Sequence, residues 1–175
     1  MHRAATHARA NSLASQAQLR IYGRMAETDT ENAHLPATQR SLPIAMLRGR
    51  EAVMAPYRRM LAKIGVTEQQ WRVLRVLDER GTLDPREIAE AACLLNPSLT
   101  RIMQLLEKKG YISRKAHPED RRKTRVSITE EGRALIVSAE PESLRIAEDL
   151  KERFGQEKID ELLDLLGELA EIHKE

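Results

Sequence analysis

Two helix starts of the same kind, Asp84-Pro85 and Asn96-Pro97, stand twelve residues apart, and a chain carrying both must fold that stretch as two short helices in tandem. An Asp or Asn side chain at the cap accepts from orphan N–H groups of the first turn, and a proline just inside the helix loses no bond there. The first helix reads Arg86-Glu87-Ile88-Ala89-Glu90-Ala91-Ala92; the second runs from Ser98 to Lys109 and is closed by Gly110. In the second, Leu99, Ile102, Met103 and Leu106 fall on one face, which leaves Ser98, Thr100, Arg101, Gln104 and Lys108 looking outward. After Gly110 the apolar period changes to two. Tyr111 to Ala116 and Thr124 to Thr129 read as the strands of a hairpin whose tip is His117-Pro118-Glu119-Asp120-Arg121-Arg122-Lys123.

Helices flank this core on both sides. Ser41 caps a long run through Ile44, Leu47, Met54, Tyr57, Leu61 and Ile64, with Pro43 in its first turn and Gly65 at its end. Thr67 with Gln70 has the form of a capping box and opens a shorter helix with Trp71, Val73, Leu74, Val76 and Leu77, ended by Gly81. Past the hairpin, Thr129 opens a helix through Leu135, Ile136, Leu144 and Ile146, in which Pro141 predicts a kink or break. The last run, Ile159, Leu162, Leu163, Leu165, Leu166, Leu169 and Ile172, is apolar over too broad a face for one subunit to cover easily. The expectation is a mainly α chain with a small β-hairpin wing, with N- and C-terminal helices that pair between subunits, packing of the last run within its own chain being the alternative.

Residues 1 to 40 sustain no helical period and read as a flexible tail. Arg3, Arg9, Arg20 and Arg24 precede its first acid, Glu27, so a basic arm and a targeting segment stand as alternatives, as does a start at Met25 with the upstream residues misassigned. The structured domain is expected over 41–175, with the helix pair and the hairpin in a lobe at about 66–129.

Charge is distributed unevenly. Asn96 to Arg125 carries nine cations against three anions, net +6, whereas Val126 to Glu175 carries six against fourteen, net −8. The basic window is either a solvated face or an anion-binding surface, and the acidic third would be repelled by any polyanion the window attracts. No apolar run nears the roughly 20 residues needed to span a bilayer, so no membrane association is expected and the location is taken as cytoplasmic. One cysteine, Cys93, forms no intrachain disulfide, and no CxxC or HExxH spacing occurs, so neither a metal nor another cofactor is expected. Cys93 itself reads as a small buried hydrophobe. His117 beside Glu119 and Asp120 is the only acid–imidazole cluster, and on a hairpin tip nothing shapes a pocket around it, so no enzyme is expected.

Helix, helix, turn, helix and a cationic hairpin make a winged helix-turn-helix, whose second paired helix enters the DNA major groove while the wing reaches the flanking minor groove. In that placement Arg101 forks onto guanine O6 and N7 and Gln104 pairs with an adenine edge, while Ser98 and Thr100 hold phosphate or base atoms. The alternative is a winged-helix module that binds another protein instead of DNA.

Several stretches resemble the MarR family of bacterial transcription regulators: 65–77, Leu99-Thr100-Arg101, Leu105 with Glu107-Lys108-Lys109-Gly110, Glu119-Asp120-Arg121-Arg122 and Ser127 to Gly132. The resemblance implies a homodimer on a pseudo-palindromic double-stranded operator, with Asp120 buttressing the wing and Arg122 in the minor groove between Arg121 and Lys123. Ser41-Leu42-Pro43-Ile44 with Thr67 to Arg72 is most similar to the branch that represses homoprotocatechuate degradation operons. Such regulators take a small phenolic or aromatic acid between the dimerisation helices and the DNA-binding lobe. For this effector the candidates are Arg48, toward a carboxylate, and Trp71, as an apolar wall. Arg48 has Glu51 three residues on as an alternative partner, and Trp71 has the core.

Overall fold

A computed structural model describes residues 38–116 and 124–172. The tail expected over 1–40 therefore lies outside the described residues up to position 37, as do the wing-tip residues Asp120, Arg121, Arg122 and Lys123. Thr38–Arg40 departs from the irregular tail expected there and forms one 3-10 turn, closed by Ser41 N–H donating to the Thr38 carbonyl at 3.3 Å.

Six α-helices and one hairpin follow among the described residues: α1 (Leu42–Lys63), α2 (Glu68–Arg80), α3 (Pro85–Ala91), α4 (Asn96–Lys108), β1 (Ile112–Ala116), β2 (Thr124–Ile128), α5 (Glu130–Phe154) and α6 (Gln156–Glu171). The chain divides into two compact units at Met46 and Leu47, inside α1. Within the unit from Leu47 onward, the helix starts follow from local chemistry. Thr67 accepts from Gln70 N–H at 3.2 Å while Gln70 Oε1 accepts from Thr67 N–H at 3.0 Å. Asp84 and Glu87 repeat the same reciprocal box at 2.9 and 2.7 Å, with Pro85 just inside. Each such cap contributes about 1 kcal/mol.

One cap differs from expectation. Helix α4 begins after Leu95, whose backbone is extended and whose carbonyl accepts from Leu99 N–H at 3.0 Å. Asn96 is therefore the first helical residue instead of the cap, and Leu95 at the cap position has no side-chain bond to offer the first-turn N–H groups. The turn before it also differs. Cys93 is exposed, not buried, and takes a left-handed φ of +50° to reverse the chain, which turns Leu94 inward in its place.

The main core gathers Val73, Leu74 and Leu77 of α2, Ile88 of α3, Leu99, Ile102, Met103 and Leu106 of α4, and Ile112 and Val126 of the hairpin. In α2 and α4 the face predicted by the 3.6 period is the face that packs into the core, whereas Leu47 of α1 and Leu144 of α5 stand 59% and 63% exposed and α6 buries none of its residues. The strands pair antiparallel with Ile112 opposite Ile128 and Ala116 opposite Thr124. A second, smaller core joins Met60 and Leu61 of α1, Val66, and Ala139 and Ile146 of α5. Trp71, Tyr111 and Leu135 border both cores. Pro141 neither breaks nor ends α5, which continues from Glu130 to Phe154. Proline removes one backbone bond there, and burial of Ala139 and Ile146 on either side offsets that loss.

Candidate nucleic-acid interface

Helix α4 presents two unlike faces. Leu99 and Leu106 are 1% and 0% exposed, so the helix cannot rotate without emptying the core. That holds Ser98, Thr100, Arg101 and Gln104 in solvent on the opposite side, as the sequence predicts. Arg101 has no ion-pair partner among the described residues, so its full charge is available to a ligand. Thr100, itself exposed, donates through Oγ1 to the Asn96 carbonyl at 3.3 Å. The uncapped first turn adds backbone N–H groups where the helix dipole favours an anion.

A cleft of about 440 Å³ runs beside this face, lined by Asp84, Pro85, Arg86, Asn96, Thr100 and Thr124 among others. Asn96, which is not used as a cap, lines this cleft, and nothing in its local sequence distinguishes the two positions. Arg86 projects from α3 and pairs with Glu90 one turn on, at 2.9 Å.

The cations of the basic window are not equivalent. Arg114 hydrogen-bonds Glu107 through Nε at 2.8 Å, which holds the Glu107 carboxyl below the usual carboxylate range and raises the guanidinium. Lys109 Nζ donates to the Gly65 carbonyl at 2.5 Å. Arg125 donates to the Thr82 carbonyl at 2.6 Å. Arg101, Lys108 and Lys115 have no such partner among the described residues. The hairpin is held to the helices by a contact with no sequence signal: Leu83 and Val126 exchange backbone bonds in both directions, at 3.0 and 2.8 Å.

The two effector candidates lie apart in character. Arg48 is exposed on α1 without a partner among the described residues, and the pairing with Glu51 does not form. Glu51 is instead taken by Arg58, at 2.5 Å, and Arg50, at 3.2 Å, which pull its carboxyl below the usual range, Arg58 most strongly. Trp71 is half-buried between the two cores. Neither residue lines the second cleft, of about 400 Å³, which Arg50, Arg58, Thr67, Glu68 and Arg72 border. There Glu68 bridges Arg50 and Arg58, the latter at 2.9 Å. Arg72 reaches across to the Ala92 and Cys93 carbonyls, at 2.7 and 3.2 Å, just before α4. This second cleft was not legible in the sequence, because its arginines are spread over 23 residues and two helices.

Comparison with known proteins agrees with this architecture. A model of the MarR family matches residues 66–124, the helix pair and most of the hairpin. The HTH-type transcriptional regulator FarR of Neisseria gonorrhoeae is 40% identical over 132 residues, covering 75% of this chain and 90% of that protein. The homoprotocatechuate degradative operon repressor of Escherichia coli is 38% identical over 128 residues, covering 73% and 86%. The solved structure of NadR in complex with 4-hydroxyphenylacetate is 38% identical, with a TM-score of 0.68, covering 83% of this chain and 100% of NadR. The same helix pair, recognition helix and hairpin, in a chain this similar along nearly the whole of its relatives, mean that it belongs to the MarR family of winged-helix transcriptional regulators.

Proposed function

We propose that the protein is a cytoplasmic homodimeric repressor that binds a pseudo-palindromic double-stranded operator and is released by a small phenolic acid. The observation that carries DNA binding is the split of α4 into a buried apolar face and an exposed polar one whose Arg101 has no ion-pair partner among the described residues. Arg101 and Gln104 take base edges, Ser98 and Thr100 take phosphate or base atoms, and Arg121, Arg122 and Lys123 act from the wing with Asp120 in support.

The homodimer is supported by α6, which buries none of its residues while Leu162, Leu163, Leu165 and Leu166 stand 38 to 62% exposed. A contiguous apolar face of this kind marks an association surface. Two-fold pairing would set the recognition helices about one DNA turn apart.

A phenolic acid as effector is supported by the relatives, one named for homoprotocatechuate degradation and one solved with 4-hydroxyphenylacetate. Trp71 and the free guanidinium of Arg48 are its proposed contacts, and the arginines of the second cleft offer further counter-charge for a carboxylate. The test is titration of a labelled duplex from upstream of the protein's own coding region, with and without 4-hydroxyphenylacetate, at two salt concentrations. Tight binding that falls with salt and is released by the acid is expected. Binding that ignores the acid removes the effector, and no preference over random DNA removes the operator.

A further inference from the structure

Arg125 stands in the basic window and by charge alone would be counted among the phosphate contacts. Its surroundings say otherwise. One Nη donates to the Thr82 carbonyl at 2.6 Å, and the other lies 3.5 Å from Glu87 Oε2. That same carboxylate oxygen accepts from Asp84 N–H at 2.7 Å, so one atom both caps α3 and holds Arg125. Two residues along the strand, on the same side, Ser127 Oγ shares a hydrogen bond of 2.7 Å with Thr82 Oγ1. Between them Val126, fully buried, exchanges both backbone bonds with Leu83. Three consecutive residues of β2 are thus fastened to the four-residue connection between α2 and α3 or to the first turn of α3, two through side chains and one through backbone. The side chain of Arg125 is only 34% exposed, and its charge is set against a carboxylate, leaving little for a phosphate.

We propose that Arg125 is a positioning residue, whose clasp on Thr82 and Glu87 sets the angle of the hairpin against α3 and α4, and that it makes no DNA contact. The proposal rests on the DNA-binding reading of the chain. A hairpin held by backbone bonds at one residue pair can pivot about it; a guanidinium tied at two points, one residue nearer the tip, removes that freedom.

The two roles predict opposite signs for Glu87→Gln, which keeps an oxygen to cap α3 but loses the charge. If Arg125 touches phosphate, the variant frees its guanidinium and removes an anion near DNA, so binding tightens. If Arg125 positions the hairpin, binding weakens. Affinity for the upstream duplex is measured by fluorescence anisotropy across several salt concentrations for the wild type, Arg125→Met, Glu87→Gln and the double variant. Each single variant is expected to weaken binding roughly 3- to 10-fold, as for loss of one ordinary hydrogen bond, and the double variant no more than the weaker single. The slope of log affinity on log salt should stay unchanged and the melting temperature nearly so. A slope smaller by about 0.9 in Arg125→Met, with tighter binding by Glu87→Gln, would overturn the proposal. In the free protein, amide exchange at Leu83 and Val126 is expected to accelerate in both single variants. If the wild type binds no duplex, the DNA-binding reading fails, and unchanged exchange at those two amides would overturn the clasp separately.

Discussion

Gly132→Ala is predicted to destabilise the protein although it places the best helix former in the first turn of a helix. By propensity alone the exchange stabilises by roughly 1 kcal/mol. A Cβ on Gly132 would, however, lie 2.3 Å from the Tyr111 carbonyl oxygen and 2.7 Å from Ile128 Cγ1. Relief requires a shift of about 1 Å, since such atoms pack at roughly 3.5 Å. The carbonyl is not free to give way: it accepts from Thr129 N–H at 3.0 Å, and Thr129 Oγ1 in turn caps α5 at Gly132 N–H, at 3.1 Å. The same hydroxyl donates to the Gly110 carbonyl at 2.6 Å. Overpacking costs about 1–3 kcal/mol and disturbing the cap about 1 more, against the 1 gained, for a net loss of about 1–3 kcal/mol. At 2 kcal/mol the melting temperature falls by roughly 4–8 °C. The assay is urea and thermal unfolding at one fixed protein concentration, because a dimer's apparent stability depends on it. Gly49→Ala, in α1 where a Cβ meets nothing within 4 Å, is the control and is expected to be neutral or stabilising. A Gly132→Ala protein as stable as the wild type would refute the close packing of α5 on the hairpin base.

Arg101→Ala is expected to cut discrimination between operator and scrambled duplex by about 1–3 kcal/mol, and equal losses on both duplexes would reduce Arg101 to a phosphate contact. The pair Leu163→Asp and Leu166→Asp should give a monomer at micromolar concentration in sedimentation and abolish tight operator binding; an unchanged dimer would move the interface elsewhere. Acid should destabilise the fold through Glu51, Glu107 and Glu142, whose carboxyls are held below their usual 4.5 chiefly by hydrogen bonds from Arg58, Arg114 and Arg145. A carboxyl lowered in the folded state adds stability above pH 4.5 that is lost as pH falls through the lowered values. Glu107→Gln should therefore flatten the acid limb of the stability curve, and an identical limb would contradict that linkage.

The sequence by itself determined what depends on neighbours within a turn or two. The capping pairs Thr67 with Gln70 and Asp84 with Glu87, the buried stripe of α4, and the change to period two after Gly110 all survive in the fold because their partners are three or four residues away or directly alternate. The outward set Ser98, Thr100, Arg101 and Gln104 was legible for the same reason: one face of a short helix was apolar enough to leave no choice about the other. Tertiary structure decided what depends on residues brought together from a distance. Leu83 finds Val126, Arg72 finds the Ala92 and Cys93 carbonyls, and Gly132 fits under Tyr111 only once two helices and a hairpin share one core. Arg114 and Arg125 carry the same charge in sequence as Arg101, yet packing sets one against Glu107 and the other against Glu87 while Arg101 has no partner among the described residues. Charge is written in the sequence, but whether it is neutralised depends on distances of a few ångströms that only the packed chain defines.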